Sequence, residues 1–143
     1  METIFADFKN LTASQVENVF SLRQQVFIIE QTCIYKDIDG EDQKAKHLLL
    51  YKKGILAAYL RMFVPGVKFP HQASLGRIVV DPRFRGTGIG VALIKKGIEF
   101  CEGASVRIEA QAQLKKYYHQ FGFKEEGEVY VVDGIDHLQM TLN

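Results

Sequence analysis

The chain has 143 residues, nearly half of them apolar, with 18 lysines and arginines against 17 aspartates and glutamates. That length fits one domain, and a net charge of +1 leaves no broad basic footprint for nucleic acid. Only two cysteines, Cys33 and Cys101, no apolar core in the first ten residues and no apolar run of the ~20 residues a membrane span needs point to a reducing, cytoplasmic setting without membrane association.

From the N-terminus, "TIFADF" alternates weakly and predicts a strand. Thr12 with Gln15, or Ser14 with Glu17, forms a capping box ahead of a helical pattern through Val16, Val19, Phe20, Arg23, Phe27 and Glu30. "QTCIYKDIDGEDQ" breaks that period and reads as a loop. "KHLLLYKKGILAAYLRMFV" is two apolar runs joined at Lys52-Lys53-Gly54, a hairpin. "ASLGRIVV" is a further strand that stops at Asp81-Pro82. Gly86, Gly88 and Gly90 follow, then a helix with Val91, Ile94, Ile98 and Cys101 on one face and Gly103 at its end. "SVRIEA" reads as a strand, "QLKKYYHQF" as a short helix stopped by Gly122, and "GEVYVVDGIDHLQMTL" as a hairpin turning at Asp133-Gly134. The order is α+β, with a single strand–helix–strand crossover running from "GRIVV" to "SVRIEA". No repeat or linker divides the chain.

Three glycines where a helix begins need a reason, because each weakens a helical turn by roughly 1 kcal/mol relative to alanine. A strand-to-helix turn leaves backbone N–H groups unpaired at a positive dipole end, and bare backbone lets a phosphate come close. Arg85 adds a cation at the entrance. The competing explanation is a tight turn with glycines chosen for close packing. A P-loop is excluded, since no Lys-Ser/Thr follows the glycines. The dinucleotide fingerprint G-x-G-x-x-G also fails: counted from Gly86 its last position is Val91, and from Gly88 it is Leu93. The spacing that does fit is R-x-x-G-x-G, formed by Arg85, Gly88 and Gly90.

At these residues the chain resembles the GCN5-related N-acetyltransferase (GNAT) family, whose motif of this form binds the pyrophosphate of acetyl-CoA. "YYHQFGF" is similar to the family's Y-x-x-x-G-F segment. "LRQQVFIIEQTCIYKDIDGED", "EAQAQLKKYYHQFGF" and "DGIDHLQM" resemble its ElaA-like branch, so the likeness covers nearly all of residues 20 to 143. The chain departs from the branch at Ile34 and Asp136, where proline is frequent. The resemblance implies one N-acetyltransferase domain over residues 1–143. It implies a mixed, mostly antiparallel central sheet flanked by helices, whose one β-α-β crossover carries the pyrophosphate loop.

The reaction it implies is direct transfer of acetyl from acetyl-CoA, as acyl-donor cosubstrate, to an amine acceptor. The backbone of Ile78, Val79 and Val80 would hold the pantetheine arm, and Arg85, Gly86, Thr87, Gly88, Ile89, Gly90 and Val91 the pyrophosphate. Tyr118 stands where the family places the acid that protonates the departing thiolate; the alternative is a core aromatic, as Tyr117 is read. For the general base, Glu30, Glu109 and His137 stay open beside a water relay. Each also has a plainer role, Glu30 as a partner of Arg23 among them. His47, His71 and His119 read as surface or satisfied residues. No histidine spacing suits a metal, and the calcium-loop pattern fails at Tyr35, so no metal is expected. Arg23, Cys33, Tyr35, Asp37 and Asp39 are acceptor-side candidates. Asp37, Asp39, Glu41 and Asp42 form an acidic loop that would draw a cationic amine to the entrance. A non-catalytic acyl-CoA sensor or interaction module is the main alternative function, a nucleotide-binding regulatory domain a third, and a homodimer is allowed.

Overall fold

The computed structural model describes residues 1–143. Seven strands form one sheet in the order β1-β2-β3-β4-β5-β7-β6. They are β1 (Glu2–Asp7), β2 (Lys46–Lys52), β3 (Ile55–Phe63), β4 (Ala73–Val80), β5 (Val106–Gln111), β6 (Lys124–Val132) and β7 (Ile135–Leu142). Every neighbouring pair is antiparallel except β4 and β5. The helices are α1 (Ala13–Arg23), α2 (Ile89–Phe100) and the short α3 (Lys115–His119). Each expected element is present and in order, and the crossover β4–α2–β5 is the only parallel connection.

Local chemistry accounts for the elements. Thr12 accepts from the Gln15 backbone N–H at 3.1 Å, and the Gln15 side chain returns a bond to the Thr12 N–H at 2.9 Å, so the first of the two capping boxes is the real one. After Arg23 the helix widens into a π-helical stretch, Gln24–Glu30, which carries the chain to the edge of the central cleft. The β2–β3 turn places Lys53 and Gly54 at positive φ, and the β6–β7 turn does the same with Asp133 and Gly134. Such paired left-handed residues match the twist of a two-residue hairpin.

Two cores form because β2 and β3 are covered on both faces. Leu48, Leu50, Ala57 and Leu60 face α2 in the larger core, whereas Leu49, Tyr51, Leu56 and Tyr59 face α1 with Val19, Leu22 and Val26. On α2 the buried face is Ile89, Leu93, Ile94 and Gly97, ending at Cys101, so it is rotated from the face expected through Val91 and Ile98. Gly97 is the cause: a Cβ there would stand 2.9 Å from Leu60 Cδ2, so the helix lies closest to the sheet at its glycine.

Candidate active site

β4 and β5 are paired only at Ala73–Val106 and Ser74–Arg107, and beyond those residues they diverge. Strands that part leave backbone N–H and C=O groups facing a gap. β4 is also bulged, with the register to β3 slipping between Tyr59 and Arg61 while Arg77 takes a left-handed φ of 49°. The gap opens into a cleft of about 300 Å³. β4 lines it from Leu75 to Val80, β5 with Ile108, Glu109 and Gln111, and Cys33, Tyr35, Tyr118 and His137 come from other segments.

One end of the cleft runs into the glycine loop, whose groove is lined by Arg85, Gly86, Gly88, Gly90 and Val91. Gly86 and Gly88 lie at φ of 77° and 85°, with open space where a Cβ would stand. Gly90 differs: its Cβ would lie 3.0 Å from Tyr117 Oη and 3.4 Å from Val80, so this glycine serves close packing. Thr87 donates its hydroxyl to the Phe84 carbonyl at 2.5 Å and Ile89 is buried in the core, and neither is among the residues that line the groove. Arg85 is held bidentately by Glu30 at 2.5 and 2.7 Å. That pairing replaces the expected Arg23–Glu30 contact. The Arg85 guanidinium holds the Glu30 carboxyl below its ordinary value. Glu30 does not line the cleft with Glu109 and His137.

Tyr118 reaches the middle of the cleft from α3, on a ring packed edge-on against Phe123. Its hydroxyl makes no hydrogen bond within the protein, and burial, with Tyr117 beside it, pushes the phenol above its ordinary value, so it keeps its proton. At the far end, Glu109 accepts from Lys68 at 3.1 Å and from the Tyr130 hydroxyl at 3.0 Å. Burial pushes the Glu109 carboxyl up, but Lys68 and Tyr130 outweigh it and leave it below the ordinary carboxylate value, hence ionised. The His137 ring donates from Nδ1 to the Ile135 carbonyl at 2.7 Å, so that Nε2 is the acceptor of the neutral ring.

The acidic loop is a correction. Asp37 and Asp42 are buried, and Arg23, which is fully buried, grips both at 2.8 Å. Arg61 binds Asp39 at 2.7 Å and Asp42 at 3.1 Å, and Arg77 lies 2.8 Å from Asp37 and 3.3 Å from Asp39. Glu41 is paired with Lys44. Three arginines thus neutralise the loop and tie it to the sheet, and none of Asp37, Asp39 and Asp42 lines the cleft. Arg23, Asp37 and Asp39 are therefore not free to meet a substrate. Tyr35 and Cys33 do line the cleft: Tyr35 donates to Asp37 at 2.7 Å, and Cys33 Sγ lies 3.4 Å from the Asp133 carbonyl. His47 is buried and satisfied by the Tyr59 hydroxyl and the Asp42 carbonyl.

Arg61, Lys68, Arg77 and Tyr130 were not foreseen. For Arg61 and Arg77 the signal is an excess of acids in one loop, which calls for cations from elsewhere in the chain; Lys68 and Tyr130, which bind Glu109, have none.

The sequence model of the GNAT acetyltransferase domain matches residues 9–143. Protein ElaA of Escherichia coli is 37% identical over 137 residues, covering 92% of this chain and 89% of that protein. In three dimensions, an acyl-CoA N-acyltransferase from Pseudomonas aeruginosa superposes with a TM-score of 0.92 at 33% identity, over 99% of both chains. The crystal structure of Escherichia coli ElaA gives 0.91 at 34% identity, again over 99% of each.

Proposed function

The chain belongs to the GNAT acetyltransferase family, and from that premise we propose that residues 1–143 act as one N-acetyltransferase domain that moves acetyl from acetyl-CoA to a primary amine of a small molecule or peptide. The observation that carries this reading is the parting of β4 from β5 into a cleft with a cation and open glycines at one end and ionisable side chains at the other. The ends suit the two halves of the reaction. Arg85 and the backbone from Gly86 to Val91 are built to take a pyrophosphate. Along the parting from β5, the backbone of Ile78, Val79 and Val80 supplies hydrogen-bonding groups for an amide-containing arm.

At the other end the amine nitrogen attacks the thioester carbonyl carbon, a C–N bond forms and the C–S bond breaks. His137 Nε2 takes the proton that the nitrogen sheds, while the ionised Glu109 holds the amine in place. Tyr118 gives its hydroxyl proton to the leaving thiolate. A phenol kept neutral by burial can do this without a charge change in the ground state.

An amine panel read out by coenzyme A release tests the reading, with Tyr118→Phe as the diagnostic variant. That variant should lose ~10²–10⁴-fold in kcat while binding acetyl-CoA as the parent does, by calorimetry. Acetyl-CoA binding without coenzyme A release from any amine would instead make the protein a sensor. Unchanged turnover in Tyr118→Phe, with chemistry limiting, would make Tyr118 a packing residue.

A further inference from the structure

At its Glu109 end the cleft continues into a smaller chamber of about 140 Å³, which shares Arg77, Glu109 and His137 with it and adds Arg61, Lys68 and Ser74. Its wall carries three cations and one acid. The three aspartates that neutralise the arginines do not line it; Asp37 and Asp39 pair with the Arg61 and Arg77 guanidinium groups. Arg61 has both terminal nitrogens engaged with Asp39 and Asp42. Arg77 is different: Nη2 is held by the Asp37 carbonyl and Asp39, but Nη1 donates to nothing in the protein. Lys68 makes a single hydrogen bond, to Glu109, and keeps the rest of its ammonium donors. Phe63 supports both sides of the chamber, with the Arg61 guanidinium 5.2 Å and the Lys68 ammonium 5.9 Å from its ring centre.

We propose that the amine acceptor of this protein carries a carboxylate close to its amine, as an amino acid does, with the carboxylate taken by Lys68 and Arg77 and the amine by Glu109. This rests on the reading that an amine enters the cleft beside Glu109 and His137, and it specifies which amine. Lys68 and Glu109 already satisfy one another at 3.1 Å. A ligand bearing both charges replaces that contact with two of its own, one at each residue. A polyamine can replace only the half at Glu109 and must set its second ammonium near Lys68, stripped of its one partner, a like-charge juxtaposition that disfavours it. The acidic loop, which on sequence grounds favoured a cationic acceptor, does not face the chamber, because its aspartates are taken up by the arginines that line it.

The test is calorimetric titration of the coenzyme A-loaded protein with the common L-amino acids, their C-terminal amides, and spermidine, beside coenzyme A release from acetyl-CoA with the same compounds. At least one amino acid should bind about tenfold or more tighter than its amide, the loss expected when a charge-assisted hydrogen bond goes unmade. Lys68 is a surface residue, so its variants should fold. Lys68→Gln should shrink the gap to about threefold or less, and Lys68→Glu should reverse it in favour of the amide and spermidine. Acetyl-CoA affinity should be unchanged in both. Amides or spermidine binding as tightly as the amino acids, no amino acid binding at all, or a gap indifferent to both variants would each overturn the proposal. Coenzyme A release separates the two readings. Amino acids that bind but release no coenzyme A leave the carboxylate site standing and remove the transferase; amides acetylated as well as amino acids do the reverse.

Discussion

The two ends of the cleft are built in different ways. The glycine-loop end is a single run of chain, Arg85 to Val91, and what it offers a ligand is backbone: open space at Gly86 and Gly88 and the first N–H groups of α2. The Glu109 end is assembled from the loop after the π-helical stretch, from β3, β4, β5, β6 and β7, and from the β3–β4 connection that brings Lys68. What it offers is side chains, held by a buried network of three arginines and three aspartates. A site made mainly of backbone tolerates change around it and fails when its glycines, or the Arg85 cation beside them, are altered. A side-chain site depends on partners distant in sequence and fails when any one of them is lost.

The sharpest way to break that contrast is through Arg23. Arg23→Gln removes the one cation that holds both Asp37 and Asp42 and leaves Asp37 to Arg77 and Asp42 to Arg61 alone, which should cost up to about 3–5 kcal/mol of stability. Urea unfolding measures it, and a loss below about 1 kcal/mol, the worth of a surface ion pair, would show that the network is relaxed and solvated after all.

Next in size is the glycine loop. Gly88→Val puts a branched side chain at a left-handed φ into the open space of the groove, and acetyl-CoA affinity should fall at least about tenfold, or 1.4 kcal/mol. Gly90→Ala should chiefly lower stability, because its methyl group meets Tyr117 Oη rather than open space. Calorimetry and unfolding on the two variants together test whether the end is a backbone site. Equal affinity losses without loss of stability would say that all three glycines face the ligand.

The smallest effect concerns pH. Burial holds the His47 imidazole below its ordinary value of 6.5, so the unfolded chain binds a proton that the folded chain resists. Stability is therefore full above that value and declines as pH falls below it, by at most about 1.4 kcal/mol per pH unit. Unfolding midpoints between pH 7 and 5 should show the decline, and His47→Gln should flatten it. The same slope in the variant would move its origin to another group.

This contrast also explains what could be read from the chain directly. R-x-x-G-x-G is contiguous, so its spacing marked the loop between β4 and α2, and the periodicities of β2, β3 and α1 marked those elements. The arginine contacts of Asp37, Asp39 and Asp42 are made across 14 to 40 positions of sequence. An acid with a distant arginine and an acid facing water are written identically, and the loop was read as the second. Nor does sequence mark the bulge that puts Arg77 at φ 49°, since arginine has no preference for that region. Lys68 lies in a connection whose residues carry no pattern, and only the folded sheet brings it to Glu109.

The parting of β4 and β5 has a further consequence, for the sheet as a mechanical object. Strands β1 to β4 form one block and β5, β7 and β6 another, and the ladder between them consists of two register pairs. The larger core runs beneath both blocks, but along the open length nothing in the ladder ties one to the other. A molecule seated in the cleft becomes the missing rung. By mass action its binding stabilises the fold, by about 2.7 kcal/mol when present at a hundred times its Kd. That coupling makes resistance to unfolding a direct gauge of what fits between the blocks, whether or not it reacts.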